Sequence, residues 1–164
     1  MTMSASDTDL RLDEIPTVHV GMLIRRRPED VFRAFVDPAV TTRFWFTRSD
    51  GRLTPGAQVH WVWEMYGVST TVRVKEVEDN RRIVFDWGDE AHTTVDVRFT
   101  PWGDDATYVE VTESGFDGDG DALVARVADS TGGFTIVLCA AKALLEHDLA
   151  LAVVRDAHPK ELRA

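Results

Sequence analysis

The spacing of hydrophobic residues changes along this chain, and the change separates a strand-rich part from a C-terminal helix. Between residues 17 and 111, apolar side chains recur at every second position in six separate runs. Such alternation is typical of strands that bury one face and expose the other. From Asp121 to His147 the apolar residues recur three or four positions apart, and this spacing predicts one long amphipathic helix.

Short turns join the predicted strands, so we expect an antiparallel meander with one face in solvent. The turns are marked by Asp79-Asn80, Gly88-Asp89 and Gly103-Asp104, and Pro101 is expected to end the fifth strand. The six apolar faces carry Val18, Val20, Met22 and Ile24; Val59, Trp61, Trp63 and Met65; Val68, Thr70, Val72 and Val74; Ile83, Phe85 and Trp87; Val95, Val97 and Phe99; and Val109 and Val111.

Two short helices are predicted between the first and second strands. Pro28, followed by Glu29 and Asp30, suits the first turn of a helix. The pair Asp37-Pro38 ends that helix because the residue before proline is pushed out of the helical region. Asp37 can then cap a second short helix, from Ala39 to Phe44. Three consecutive aromatic residues follow in a loop or helix end: Phe44, Trp45 and Phe46.

The C-terminal helix raises two questions of its own. A glycine inside a helix costs about 1 kcal/mol relative to alanine, so Gly132-Gly133 predicts a kink or a restart capped by Ser130 or Thr131. The segment from Phe134 to Ala141 is apolar on nearly all sides, and such a helix must be covered on more than one side. Either the run from Leu149 to Val154 folds back over it, or a second subunit in a homodimer covers it.

Length and charge narrow the class of protein. The 164 residues fit one domain, expected at 15–155 between a disordered N-terminal arm (1–14) and a C-terminal tail (156–164). A net charge of −10 argues against nucleic acid or an anionic membrane as a partner. The single cysteine, Cys139, is expected to be buried in the helix. Because no signal-peptide pattern and no apolar run of membrane-spanning length is evident, we expect a soluble, cytoplasmic protein.

Motifs of catalysis and metal binding are not evident in the sequence. The five histidines have no spacing typical of a metal site, and no nucleophile-elbow, paired-cysteine or phosphate-binding pattern occurs. The acidic run from Asp117 to Asp121 is similar to part of a calcium loop but lacks the remaining ligands. No cofactor, metal or catalytic residue is therefore predicted.

Aromatic side chains are the main candidates for a binding site. Core packing is the ordinary role of an aromatic on an apolar strand face, but a curved sheet under one helix seldom closes completely. Tryptophan walls suit a flat aromatic or lipid-like guest. Glu113 continues the alternation of Val109 and Val111, so an unbroken strand would aim it inward, whereas an early strand end would leave it in water. The candidate ligand-binding residues are Trp45, Trp61, Trp63, Phe85, Trp87, Glu113 and Phe134.

The order of these elements and several local segments resemble one known family. The segment RRRPEDVFRAFVDPAVTTRFWF resembles the opening of the activator of heat-shock protein 90 ATPase homologue-like family, within the START/SRPBCC superfamily. The segments TPGAQVHWVWE, VKEVEDNRRIVFDW and VTESGF are similar to its later strands, in the same order and spacing. The resemblance extends from about Thr17 to His147.

The resemblance implies an α+β helix-grip fold. A curved antiparallel sheet of about six strands would hold the long C-terminal helix over an apolar cavity, with two short helices after the first strand. The implied function is binding of a small apolar or aromatic ligand in that cavity, extended in polyketide cyclase-like relatives to chemistry on the ligand. The alternative is a protein-interaction module like the co-chaperone members of the family. Fold alone does not decide between them.

Overall fold

The structure is a computed structural model that describes residues 11–162. Most of the predicted N-terminal arm, residues 1–10, lies outside the described residues, as do the last two residues of the tail. The described part is an α+β domain in which one antiparallel sheet carries a long helix across it. The predicted helix-grip fold is therefore confirmed.

Seven antiparallel strands form the sheet in the order β1-β7-β6-β5-β4-β3-β2. Strands β2 to β7 follow one another as a meander, and β1 forms the edge of the sheet beside β7. Six of the strands were predicted, and the seventh is the two-residue β2. The strands are β1 (Val18–Ile24), β2 (Arg48–Ser49), β3 (Gln58–Trp63), β4 (Val68–Glu78), β5 (Arg82–Trp87), β6 (Thr93–Trp102) and β7 (Ala106–Ser114).

Four α-helices lie within the described residues. They are α1 (Pro28–Val36), α2 (Pro38–Thr41), α3 (Gly120–His147) and α4 (Val153–Asp156), with short 3-10 turns at Glu64–Tyr66 and Lys160–Leu162. As predicted, Pro28 occupies the first turn of α1, and Asp37 caps α2 by accepting a 3.0 Å hydrogen bond from the backbone N–H of Ala39. The second helix is shorter than the expected segment up to Phe44.

Strand β6 does not end at Pro101, contrary to the prediction. It continues to Trp102, and Pro101 pairs with Thr107 of β7. The pairing of β5 with β6 stops at Arg98, three residues before Pro101. Proline is tolerated there because no neighbouring strand on the β5 side needs a hydrogen bond from its backbone nitrogen.

Helix α3 is uninterrupted over 28 residues, so of the predicted kink or restart at Gly132-Gly133 the restart does not occur. Neither predicted cap residue caps a helix. The hydroxyl of Ser130 donates to Glu113, and the hydroxyl of Thr131 donates to the carbonyl of Val127 at 2.7 Å. A Cβ atom added at either glycine would meet no neighbouring heavy atom within 4 Å. The glycines thus leave open space beside a continuous helix.

The apolar face of α3 packs against the sheet and forms much of the core. Its buried residues are Leu123, Phe134, Val137, Leu138, Ala140, Ala141 and Leu144. Cys139 lies on the opposite side and is exposed, so the prediction that it is buried is wrong.

The expectation that no segment reaches membrane-spanning length does not hold for α3, which is long and apolar enough by length and composition alone. Core helices of soluble proteins meet the same criterion.

The segment that follows α3, from Leu149 to His158 and here called the tail, folds back onto the domain, one of the two arrangements expected for the run from Leu149 to Val154. Val153 and Val154 pack against the core, while Leu149 and Leu151 remain exposed. The hydroxyl of Tyr66 donates to the carbonyl oxygens of Val154 and Arg155, the latter at 3.1 Å. The tail is thereby fixed to the turn between β3 and β4.

Polar contacts fix the C-terminal end of α3 to the end of β1 and the loop that follows it. The ammonium of Lys142 donates to the carbonyl of Leu23 at 2.7 Å and lies 2.5 Å from the carboxylate of Glu146. The guanidinium of Arg26 donates to the carbonyl of Glu146 at 2.9 Å. Burial acts to raise the pKa of Glu146, but the hydrogen bonds from Lys142 and the backbone of Arg25, with the charges of both residues, lower that pKa overall.

A lowered pKa gives a pH-dependent prediction for Glu146→Gln. The ionised carboxylate stabilises the folded state above the ordinary glutamate pKa of about 4.3, and that contribution is lost as the pH falls through the lower folded value. We therefore expect Glu146→Gln to lower the Tm at about pH 7, and this deficit should shrink as the pH falls below the ordinary glutamate value. Thermal melts of both proteins across this range measure the difference. Glu90→Gln, at an exposed position, is the control, and a pH-independent deficit in Glu146→Gln would contradict the assignment.

Truncation after Asp148 tests the packing of the tail. It removes Val153 and Val154 from the core and the two carbonyl groups that accept from Tyr66. We expect the Tm to fall by several degrees, corresponding to about 1–2 kcal/mol in a domain of this size. A chain that ends at His158 retains α4 and should melt like the full-length protein. Equal Tm values for all three chains would show that the tail contributes no stability.

Candidate functional site

A cavity of about 480 Å³ lies between the sheet and α3, at the end of the sheet where β5, β6 and β7 meet the first half of the helix. Its aromatic wall consists of Trp45, Trp63, Tyr66, Trp87, Phe116 and Phe134. Its polar residues are Thr70, Thr93, Glu113, Arg126, Asp129, Ser130 and His158. The volume falls in the range of small-molecule sites, and a largely apolar wall with a few polar groups is typical of them.

The structure brings five of the seven candidate residues to the cavity wall: Trp45, Trp63, Trp87, Glu113 and Phe134. Trp61 and Phe85 lie behind the wall, each with 1% of its surface exposed. The ring of Trp61 stacks on Phe46, with centroids 4.3 Å apart. Placing these two residues at the cavity was therefore wrong. Strand alternation identifies the inner face of the sheet but not how deep each side chain is buried.

Trp87 is the central ring of the aromatic wall. Its ring centroid lies 5.6 Å from Phe134 of α3, 6.1 Å from Trp45 and 6.5 Å from Trp63. These separations fit the range in which aromatic pairs attract each other. The wall therefore joins the sheet, the loop after α2 and the long helix in one packed set of rings.

Glu113 lies at the inner end of this wall with 3% of its surface exposed. Strand β7 continues through Glu113 to Ser114, and Glu113 pairs with Val95 on one side and Val18 on the other. The alternation of buried residues is thus unbroken, and the inward placement predicted from the sequence is what the structure has.

Three neutral groups donate hydrogen bonds to the Glu113 carboxylate. Oε2 accepts from Trp87 Nε1 at 2.7 Å and from Thr93 Oγ1 at 2.6 Å, while Oε1 contacts the hydroxyl of Ser130. Trp87 Nε1 also lies 2.9 Å from Thr93 Oγ1. The single indole N–H can only donate, so Oε2 and the hydroxyl of Thr93 share it, and that hydroxyl directs its own hydrogen to Oε2. Oε2 is therefore an acceptor only.

Thr93 and Ser130 were missed as site residues. Thr93 begins β6 and Ser130 lies on α3, so sequence separation hides their contact with Glu113. Ser130 lies three residues after Val127 and four before Phe134, which places it next to the helix face that packs on the sheet. This spacing in the sequence could have identified Ser130 as a residue near the cavity.

The mouth of the cavity contains further residues that the sequence did not indicate. Val154, Ala157 and His158 reach it from the folded-back tail. Arg126 donates to the carboxylate of Asp117 at 3.0 Å and lies 5.6 Å above the ring of Phe116. The hydrogen bond and charge of Arg126 lower the pKa of Asp117. Within residues 11–162, no three His, Cys, Asp or Glu side chains are grouped to hold a metal ion.

A curved antiparallel sheet that holds one long helix over a cavity defines the helix-grip domains of the START/SRPBCC superfamily. Within that superfamily, the chain belongs to the family of activator of Hsp90 ATPase homolog 1-like proteins, whose sequence model matches residues 25–145. No curated protein matches the chain in sequence.

Several solved structures are similar to this chain in fold. A protein from Staphylococcus saprophyticus is 29% identical, with a TM-score of 0.73 over 83% of this chain and 96% of its own. The Aha1 dimer from Colwellia psychrerythraea is 15% identical, with a TM-score of 0.70 over 80% and 97%. CalU16 from Micromonospora echinospora is 17% identical, with a TM-score of 0.65 over 85% and 80%. The last two show similarity of fold alone.

Removing the charge of Glu113 while keeping its hydrogen bonds should stabilise the fold. In Glu113→Gln the amide oxygen can accept from Trp87 and Thr93, and the amide N–H can donate to Ser130. Because a buried charge without a counter-ion costs free energy, we expect the Tm to rise by several degrees, or about 1–2 kcal/mol. Glu113→Leu leaves two hydroxyls without their acceptor and should lower the Tm.

Glu110→Gln is the matched control for these thermal melts. Glu110 lies on the same strand but is solvent-accessible and pairs with His19 at 3.1 Å, so its replacement should change the Tm little. A Glu113→Gln protein that melts below the wild type would show that the carboxylate itself stabilises the fold.

Proposed function

We propose that the protein binds one small, planar and largely apolar molecule in the cavity, with a polar group of that molecule against Glu113. The observation that carries the proposal is a buried carboxylate at the inner end of an aromatic cavity. Only 3% of the surface of Glu113 is exposed, and the cavity that it lines has a volume of about 480 Å³. A buried polar group costs stability, and such a cost is often retained where a site serves binding.

The shape of the wall supports a flat guest. Trp87 and Phe134 face each other with their ring planes 33° apart, and Trp45 meets both rings nearly edge-on, at 68° and 69°. Rings in such positions offer both faces and edges to an aromatic molecule. Gly133 adds room on the helix side, because a Cβ atom there would meet nothing within 4 Å.

Chemistry on the bound molecule would depend on Glu113. It is the one buried carboxyl on the described cavity wall, so cyclase-like proton transfer would use this single acid or base. We place binding first because the wall supplies no second buried titratable group, within residues 11–162, to act as its partner.

The co-chaperone alternative is supported by the name of the family and by the Aha1 relative. A homodimer through α3 and the tail is supported by the description of that relative as a dimer and by the exposed side chains of Leu149 and Leu151. Both stay predictions, as does the cytoplasmic location.

Tryptophan fluorescence tests the proposed function directly. Titration with a panel of planar apolar compounds should change the emission and saturate at one site per chain. Trp63→Ala removes part of the cavity wall and should weaken binding by about tenfold. Trp102→Ala is the matched control because Trp102 is 64% exposed and does not line the cavity. An unchanged emission across the panel, or equal binding by both variants, would count against the proposal.

A further inference from the structure

We infer that the cavity selects an organic cation, a protonated aromatic amine or a related ammonium compound, over neutral and anionic molecules of the same shape. This inference rests on the proposed function and adds the charge of the ligand. It follows from the surroundings of Glu113, from its free hydrogen-bonding capacity and from the rings beside it.

Glu113 lacks a counter-ion in the described part of the chain. No arginine, lysine or histidine among residues 11–162 forms an ion pair with it. Its hydrogen bonds come from an indole and two hydroxyls, which are all neutral groups. Without a counter-ion, the free-energy cost of burying a carboxylate is only partly offset. A cationic ligand would therefore form a stronger electrostatic interaction with this carboxylate than with one in water.

The arginine on the cavity wall is already engaged. Arg126 donates to the carboxylate of Asp117 at 3.0 Å and to its carbonyl oxygen at 3.1 Å, and it lies over the ring of Phe116. Asp129 brings a second carboxylate to the cavity wall, and it forms none of the ion pairs found among the described residues. The charged groups at the cavity therefore favour a positive guest over an anion.

Glu113 can accept one further hydrogen bond. Each carboxylate oxygen has two lone-pair sites; Oε2 uses both for Trp87 and Thr93, whereas Oε1 contacts only Ser130. An ammonium N–H can fill the remaining site on Oε1 without displacing any donor. A neutral carbonyl ligand would instead need a proton on Oε1, and the hydrogen that Ser130 now donates would have to turn away.

The aromatic residues around the carboxylate suit a cation as well. Trp87 donates to Glu113 and lies within 6.5 Å of Trp45, Trp63 and Phe134. Ring faces attract cations within about 6 Å, and tryptophan does so most strongly. Because Trp45, Trp63, Trp87 and Phe134 line the same cavity as Glu113, one charged group can form an ion pair with the carboxylate and also contact these rings. The net charge of −10 also raises the local concentration of cations.

Calorimetric titration of the full chain with four matched probes tests the inference. The probes share a naphthalene ring and differ in charge: naphthylmethylamine, naphthylmethanol, methyl naphthyl ketone and naphthoate. At neutral pH we expect the amine to bind at least about tenfold more tightly than the alcohol and the ketone, and the carboxylate to bind weakest. This comparison uses the wild-type protein and does not depend on the folding of any variant.

Two variants assign the preference to one carboxylate. Glu113→Gln should reduce the affinity for the amine about tenfold and leave that for the alcohol within about threefold. Glu110→Gln removes the same charge from the opposite face of β7 and should leave both affinities unchanged.

The outcomes separate this inference from the proposed function. Saturable binding of the alcohol or ketone with affinity equal to the amine overturns the cation preference and leaves the proposed function standing. An amine preference that survives in Glu113→Gln overturns the role of Glu113. Failure of all four probes to bind counts against the proposed function, and this inference falls with it.

Discussion

The contact between one face of α3 and the inner face of the sheet is the constraint on which the rest of this structure depends. The helix contributes Phe134, Val137, Leu138 and Ala141 to this contact. The sheet contributes the alternating apolar residues of β1 and of β3 to β7, which pack against them. One helix is narrower than the curved sheet beneath it. Aromatic side chains fill most of the remaining width, and the unfilled part beside Gly133 and Trp87 is the cavity.

Glu113 shows the conflict between stability and function at this cavity. A glutamine in that position would keep the hydrogen bonds to its neighbours and avoid the cost of burying a charge. The chain instead surrounds a carboxylate with Trp87, Thr93 and Ser130, which lie on β5, β6 and α3. These donors reduce the cost of burial but add no charge. The negative charge of Glu113 therefore stays without a counter-ion among the described residues, and this is the physical basis for preferring a cationic ligand.

The C-terminal tail connects stability with access to the cavity. Val153 and Val154 add to the core, and Val154, Ala157 and His158 line the cavity. Tyr66 belongs to the same wall and donates to the backbone of the tail. The polar contacts of Lys142 and Glu146 separately fix the C-terminal end of α3 to β1.

The sequence by itself determined the α+β class, six of the seven strands, the long helix and the inward placement of Glu113. These features follow from local periodicity, because a strand or helix must turn its apolar residues toward one side. Local signals also predicted the cap by Asp37, which depends only on residues next to it in the chain.

Only the tertiary structure decided what depends on contacts between distant segments. Periodicity could not separate Trp61, packed behind the wall, from Trp63 on its surface, because both lie on one strand face. It could not show that Ser130 donates to Glu113, that Cys139 is exposed, or that α3 continues through two glycines. Helix continuity there reflects packing on the sheet, which outweighs a local propensity of about 1 kcal/mol per glycine. Burial depth and partners are set by how whole elements pack, and the sequence encodes that packing only through the complete fold.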